Sequence, residues 1–178
     1  ALTGKRCEEA MYVLEDTIRG IRNLFNNAKD LQGVIAKYME EHDSMRKEIE
    51  KFSAQAVERL KENLVENAKD VNGLKVVKAV LPINAEQAKN LVFKVREAIP
   101  HNLVCVVGST ANNKPLLSIM LSDDMVSEHG LNAGQIIREA AKLIQGGGGG
   151  QPHYASAGGK NLDGISVAVD KAVELACQ

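Results

Sequence analysis

The sequence predicts an α/β (α+β) protein in two parts: a helical hairpin or coiled-coil connector over residues 1–72, then a small mixed-sheet α/β domain over residues 73–178. Apolar residues recur at three- and four-residue spacing in the first part, which indicates amphipathic helices. β-rich runs begin only at Leu74. Charge also divides the chain, since residues 1–72 carry twelve basic and fourteen acidic side chains and the longer remainder carries ten and nine.

The helical part predicts two helices joined by a short turn. Asn26, Asn27 and Gly33 interrupt the apolar pattern, and Asp30 can cap a new helix. We expect the two stripes to bury against each other or against a second copy of the chain. His42 lies on the second stripe, where a partly buried or paired histidine is more common than a lone metal ligand. The stripes comprise Met11, Leu14, Ile18, Ile21, Phe25 and Ala28, then Ile35, Tyr38, His42, Met45, Ile49, Phe52 and Ala56.

The α/β part opens with a strand and a capped helix. Leu74–Leu81 is a β-rich run that Pro82 stops. Asn84 with Gln87 three residues on resembles a capping box, which predicts a helix that ends before Pro100.

Two further strands and two further helices follow. The spacing predicts strands over Leu103–Val107 and Leu116–Leu121, with a hairpin turn over residues 111–114. Asn132 with Gln135 predicts a second capped helix, and a last helix follows residue 160. A right-handed crossover makes the first two strands parallel, and the hairpin adds an antiparallel third.

Gly146–Gly159 is the most distinctive segment, with seven of the fifteen glycines in fourteen residues. We interpret it as a loop in which glycine permits positive φ and close approach of another backbone. Its row of unshielded N–H groups predicts an anion-binding concavity. The alternative is a flexible hinge without a ligand.

The sequence carries no recognisable catalytic or metal-binding constellation. Asp123 and Asp124 are adjacent and predict the start of a short helix rather than an acid/base pair. His129 and His153 have no Cys or carboxylate at metal-ligand spacing. The cysteines are three in number and widely spaced, which indicates a reducing compartment. No apolar run approaches eighteen residues, so we expect no membrane span.

The segment AGQIIREAAKLIQGGGGGQPHYASAGGKNLDGISVAVDKAV resembles the C-terminal domain of the alanyl-tRNA synthetase family. That domain shares its fold with the accessory domain of DHH-type phosphoesterases, so the resemblance implies a sheet domain of the DHH-associated type. The opening ALTG, residues 1–4, resembles the end of the synthetase editing domain. The resemblance therefore spans essentially the whole chain.

The resemblance implies a tRNA-binding and dimerisation module without catalytic activity or a cofactor of its own. It implies alanine-specific tRNA as partner, held at its outer corner, together with a homodimer and a cytoplasmic location. The parent enzyme would use ATP and magnesium, and zinc in its editing domain, through upstream domains of the same chain. The net charge of −1 fits a module that reads RNA by shape and 2′-hydroxyls rather than by many phosphate contacts.

The resemblance also implies which residues contact tRNA. Gln151 and His153 depart from the family pattern, in which a basic and an acidic residue respectively are common, so Gln151 is expected to bond to sugar or base. Arg138 and Lys142 precede the glycine segment and favour phosphate there. The family motif covers Gly146–Gly150, Pro152, Ala157, Gly158 and Gly159, and the charges beside it add Arg138, Lys142 and Lys160. The predicted tRNA-binding residues are Gly146, Gly147, Gly148, Gly149, Gly150, Gln151, Pro152, His153, Ala157, Gly158, Gly159, Lys160, Arg138 and Lys142.

Two alternatives remain open at this point. One is the accessory substrate-binding domain of a DHH-type phosphoesterase, whose Asp-His-His metal motif would lie in a preceding domain. The other is a purely structural dimerisation module in which the glycines only permit packing.

Overall fold

A computed structural model describes residues 4–177, apart from the side chain of Asn112. Three residues of the opening ALTG segment, 1–3, lie outside the described residues. The chain divides into two compact units, Ala1–Phe52 and Ser53–Gln178. The second unit begins at Ser53 rather than at the change of composition near residue 73.

The predicted pair of helices is confirmed. Helix α1 spans Lys5–Leu24 and helix α2 spans Leu31–Glu66. Asn26 and Asn27 adopt left-handed φ angles of 53° and 57°, which asparagine tolerates better than most residues. Asp30 then caps α2, since its Oδ1 accepts a hydrogen bond from the Gly33 N–H at 2.9 Å.

The apolar stripes of these helices stay exposed in the single chain. No residue of α1 is buried, and Leu14 is 62% exposed. Phe25 and Tyr38 make an edge-to-face ring contact at 5.5 Å, close to the turn. His42 is exposed as well, 3.8 Å from the Asp43 carboxylate. The stripes therefore do not bury each other along their length.

The second unit is built on a six-stranded sheet in the order β1-β2-β3-β4-β6-β5. β2 and β3 are parallel and every other pair is antiparallel, which confirms the predicted parallel pair with an antiparallel third strand. The strands are β1 Lys69–Val71, β2 Leu74–Leu81, β3 Leu103–Ser109, β4 Leu116–Leu121, β5 Gly147–Gly150 and β6 Tyr154–Gly158.

The predicted caps start the helices of this unit. Helix α3, Ala85–Ala98, opens with a complete capping box in which Asn84 Oδ1 accepts from Gln87 N at 2.9 Å and Gln87 Oε1 accepts from Asn84 N at 3.0 Å. Asp123 and Asp124 open the short helix α4, as predicted. The other two helices are α5, Ala133–Ala140, which a 3-10 turn extends over Ala141–Ile144, and α6, Ile165–Ala176.

Helices cover both faces of the sheet. On one face α5 and α6 pack against Val104, Val106, Leu117 and Ile119. On the other face α3 packs against Cys105, Val107 and Met120 together with the second half of α2. That half contributes the buried Val57 and the half-buried Leu60 and Leu64, so part of the connector helix belongs to the core of the second unit.

The interpretation of Gly146–Gly159 as a loop is wrong. Gly147–Gly150 and Tyr154–Gly158 form the hairpin β5–β6 at one edge of the sheet. The sequence hides this hairpin because glycine has low strand propensity and shows no alternation of apolar and polar side chains. The hairpin forms because β6 pairs with β4 in the middle of the sheet, although the local sequence has little preference for a strand.

Candidate functional site

The glycine hairpin, residues 146–159, is tied to the rest of the sheet domain at both ends. At the open end the N–H groups of Gly146 and Lys160 donate to Ala141 O and Ile144 O at 3.0 and 2.9 Å. At the turn, Pro152 O and His153 O accept hydrogen bonds from the N–H groups of Ala133 and Leu121, each at 2.8 Å. The hairpin is therefore a fixed structure rather than a hinge.

Alternate glycines of the hairpin lie against the backbone of β6. A Cβ added to Gly146, Gly148 or Gly150 would lie only 2.0, 2.2 or 2.3 Å from the carbonyl oxygens of Gly158, Ser156 and Tyr154. The predicted close approach of backbones is thus confirmed. A Cβ at Gly147 or Gly158, by contrast, would meet no atom within 4 Å.

The predicted positive φ angles and anion-binding concavity are wrong at these glycines. Among the described residues, glycine has φ in the left-handed region at Gly4, Gly73 and Gly130. In a strand, successive N–H groups point to opposite sides, whereas an anion nest needs them to converge. The glycines of β5 instead form an edge strand that carries no side chains.

A cleft of about 600 Å³ lies at the open end of the hairpin. It adjoins the end of β3 and the beginnings of β4 and α3. Lys114 and Lys160 stand on its rim with exposed side chains, and neither has an ion pair within residues 4–177. Among the described residues the cleft therefore carries two lysine charges without an ion-pair partner. Its lining is Asn84, Ala85, Ser109, Ala111, Lys114, Pro115, Leu116, Gln145, Gly146, Gly147, Gly158, Gly159 and Lys160.

The tRNA-binding residues implied by the resemblance fall into separate groups. Gly146, Gly147, Gly158, Gly159 and Lys160 line the cleft. Gly148, Gly149 and Gly150 continue along β5.

The turn residues Gln151, Pro152 and His153 lie at the other end of the hairpin. Pro152 and His153 are held through their carbonyl oxygens, which accept hydrogen bonds from Ala133 N and Leu121 N, each at 2.8 Å. Gln151 and Pro152 are exposed. The structure therefore does not bring the turn residues to the cleft.

The remaining implied residues differ in accessibility. Ala157 is 2% exposed and packs in the core beside α5 and α6, so its side chain does not face a ligand. Lys142 pairs with Glu139 at 2.6 Å. Arg138 is exposed and flanks Gly149, since its guanidinium lies 3.8 Å from the position of an added Cβ there.

Sequence reasoning missed the part of the cleft that other elements supply. Lys114 belongs to the connection predicted as a turn between β3 and β4, and Asn84 was recognised only as a helix cap. Both reach the glycine hairpin because β4 pairs with β6, a long-range pairing without a local signal. The local indication of this part of the cleft in the sequence is Lys114 itself, a lysine in a connection that carries no other charge.

Metal-ligand groups and two shielded cysteines bear on the reactive chemistry of the described residues. No group of three or more His, Cys, Asp or Glu side chains within residues 4–177 is arranged to hold a metal ion. Burial raises the pKa of the Cys105 thiol to about 12 and also raises the pKa of Cys177, so both thiols are poor nucleophiles at neutral pH. None of the described helices combines the length and apolar character that a membrane crossing requires.

Comparison with known proteins agrees with the resemblance. Alanine–tRNA ligases from Bacteroides thetaiotaomicron and Bacteroides fragilis are 49% and 48% identical over 176 residues, which is 99% of this chain. The chain spans 20% of the length of these relatives, at their C-terminal region. The crystal structure of the C-Ala domain from Aquifex aeolicus alanyl-tRNA synthetase has a TM-score of 0.56 and 27% identity, over 63% of this chain and 99% of that chain.

The predicted resemblance to the C-terminal domain of alanyl-tRNA synthetases is therefore confirmed. The family model of the DHHA1 domain matches residues 73–178, which include β2 to β6 and the whole glycine hairpin. The chain belongs to the DHHA1 domain family.

Proposed function

We propose that this chain is the C-terminal tRNA-binding module of an alanine–tRNA ligase and that it holds the outer corner of alanine-specific tRNA. The observation that carries this proposal is the 49% identity with an alanine–tRNA ligase over 99% of the chain. By holding the tRNA, the module supports aminoacylation and editing, which upstream domains of the same cytoplasmic protein carry out. A second tethered contact raises the affinity of the whole enzyme without strong binding by the module alone.

The glycine hairpin and its cleft form the proposed contact surface. The exposed backbone at Gly147 and Gly158 lets an RNA sugar–phosphate chain approach closely, because no side chain stands in the way. Lys160 adds a positive charge without a carboxylate partner among the described residues. Shape and 2′-hydroxyl contacts then supply recognition with few phosphates neutralised.

The chemistry of the parent enzyme belongs outside this chain in our proposal. ATP and magnesium would serve the catalytic domain and zinc the editing domain, whereas this module would bind no cofactor. The fragment would accordingly neither charge tRNA nor hydrolyse alanyl-tRNA. Stoichiometric hydrolysis of alanyl-tRNA by the pure chain would contradict this part of the proposal.

We propose further that the exposed stripes of α1 and α2 pair two copies of the chain into a homodimer. Met11, Leu14, Tyr38, Ile49 and Phe52 are each more than half exposed. Stripes of this kind at helical spacing are typical of coiled-coil interfaces.

Titration with an alanine tRNA transcript tests the proposed function. With about three to five phosphate contacts, we expect weak binding with a log–log salt slope of roughly −2 to −5. Lys160→Ala should make that slope less negative by about one if this lysine contacts a phosphate. Wild-type chain that does not bind the transcript even at low salt would overturn the proposal.

A further inference from the structure

Basic side chains without carboxylate partners concentrate around the glycine hairpin. Most ion pairs of the second unit neutralise lysines and arginines elsewhere, such as Lys75, Lys78 and Arg96. The basic side chains of this unit that have no ion pair among the described residues are Arg59, Lys69, Lys89, Lys114, Arg138 and Lys160. Of these, Lys114 and Lys160 line the cleft and Arg138 flanks β5.

Lys89 lies beside the same hairpin because of the direction of α3. Ala85, in the first turn of α3, lines the cleft together with Gly158. Two turns later the Phe93 ring lies 5.2 Å from the ring of Tyr154, at the other end of β6. Residues four apart share one helix face, so the direction of α3 indicates that the exposed Lys89 lies between these two contacts, on the side of α3 toward β6.

The sheet surface on the α3 side is open at its glycine end, whereas Ser156 and Tyr154 are half-buried. Tyr154, Ser156 and Gly158 alternate along β6 and so share one face, and Gly147 pairs with Gly158 on β5. No atom lies within 4 Å of a Cβ added to Gly147 or Gly158. We call these four residues the open strip.

A buried hydroxyl next to the open strip lacks a partner. Ser118 on β4 pairs with Ser156 in the sheet register and is fully buried. Its Oγ has no hydrogen-bond partner among the described residues. Buried hydroxyls are nearly always hydrogen-bonded, so Ser118 is an unsatisfied polar position within the sheet beside the open strip.

We propose, on the basis of the RNA-binding function above, that an RNA strand leaves the cleft and runs along the open strip toward Tyr154. Lys89 neutralises a phosphate on the α3 side, and the Ser156 hydroxyl bonds to a phosphate or 2′-hydroxyl oxygen. The Tyr154 ring ends the strip and offers a stacking surface for a base. RNA fits this surface because Lys89, Lys114 and Lys160 supply positive charge on it and the glycines of the strip admit close backbone contact.

The test compares Lys89→Gln with Lys69→Gln in the full chain, titrated with an alanine tRNA transcript at several salt concentrations. Lys69 is the matched control because it is exposed, has no ion pair among the described residues and lies on β1, at the opposite edge of the sheet. We expect Lys89→Gln to weaken binding about 3- to 10-fold and to make the salt slope less negative by about one. Lys69→Gln should bind as the wild type does.

A second pair of variants examines the stacking surface. Tyr154→Phe keeps a ring against Phe93 and should bind normally, whereas Tyr154→Leu keeps an apolar contact and should lose about 5-fold or more in affinity. Thermal melting of each variant establishes that the fold is intact.

The possible outcomes separate the two proposals. If the wild type binds, Lys160→Ala weakens binding and both Lys89→Gln and Tyr154→Leu bind normally, the open strip is wrong while the proposed function stands. If the wild type does not bind the transcript at all, both proposals are overturned.

Discussion

At the scale of single residues, the glycine hairpin separates positions that need glycine for packing from positions that leave room for a ligand. Gly148 belongs to the first kind, because an added Cβ would lie 2.2 Å from Ser156 O and 2.4 Å from Ala157 Cα. Gly147 belongs to the second kind, since a methyl group there meets open space.

We therefore predict that Gly148→Ala destabilises the protein and Gly147→Ala does not. Overpacking against backbone atoms should cost about 1–3 kcal/mol, or roughly 2–4 °C in Tm for each kcal/mol in a chain of this size. Thermal unfolding of the two variants beside the wild type measures this difference. Equal melting temperatures for Gly148→Ala and Gly147→Ala would show that β5 does not lie against β6 as described.

The sequence predicted close approach at these glycines but not its alternation. Which glycine faces β6 depends on the pairing Gly148↔Ala157, and five identical residues carry no pattern from which a register follows. The glycine run therefore marks the candidate site in the sequence, while the packing role of each glycine follows only from the structure.

At the scale of elements, an ionic cluster fastens the second half of α2 to α3. Glu58 bonds to Lys61 on its own helix and to Lys94 on α3, the latter at 2.7 Å. Its hydrogen bonds to Lys61 and then to Lys94 lower the pKa of Glu58 from 4.5 to about 2. Gln87 Nε2 on α3 also donates a hydrogen bond to Ser53 Oγ on α2 at 2.8 Å, a second polar contact between the two helices.

This cluster predicts an acid-sensitive contribution to stability. A carboxyl whose pKa is lower in the folded state stabilises the fold fully above its unfolded value of 4.5, and the contribution disappears as pH falls toward 2. Unfolding measured across this window should depend on pH less steeply in Glu58→Gln than in the wild type. Glu62→Gln, at an exposed position of the same helix, serves as the control. An unchanged pH dependence in Glu58→Gln would contradict this assignment, and high salt should reduce the effect.

Elements with their own start signals were predictable. The capping box at Asn84 and the side-chain cap at Asn132 place α3 and α5, and the β-rich runs place β2, β3 and β4. The three-residue strand β1 and the hairpin β5–β6 were missed, because these segments become strands by pairing with a neighbouring strand rather than through their own strand propensity. The same long-range pairing assembles the cleft, so its Lys114 was missed too.

At the scale of the whole molecule, composition divides the chain near residue 73 whereas packing divides it between Phe52 and Ser53. The difference arises because α2 looks amphipathic and charged along its entire length in the sequence. Only the structure shows that Val57 is buried in the core beside α3 while the earlier part of α2 stays exposed.

The exposed stripes predict self-association. Sedimentation at tens of micromolar should show a dimer that Leu14→Lys weakens, because a lysine at this position would place charge in the apolar contact. Gly20→Lys adds the same charge to α1 off the stripe, where no atom lies within 4 Å of an added Cβ, and should leave the dimer intact. A wild-type monomer throughout this concentration range would contradict the proposed homodimer.

The most direct measurement of the central proposal compares the affinity of the chain for three alanine tRNA transcripts. One is intact, one lacks the terminal nucleotides of the acceptor stem, and one has the contacts between its two loops disrupted. If the module holds the folded outer corner, the shortened acceptor leaves the affinity unchanged and the disrupted loops lower it. Loss of binding with the shortened acceptor and full binding with the disrupted loops would contradict the proposal.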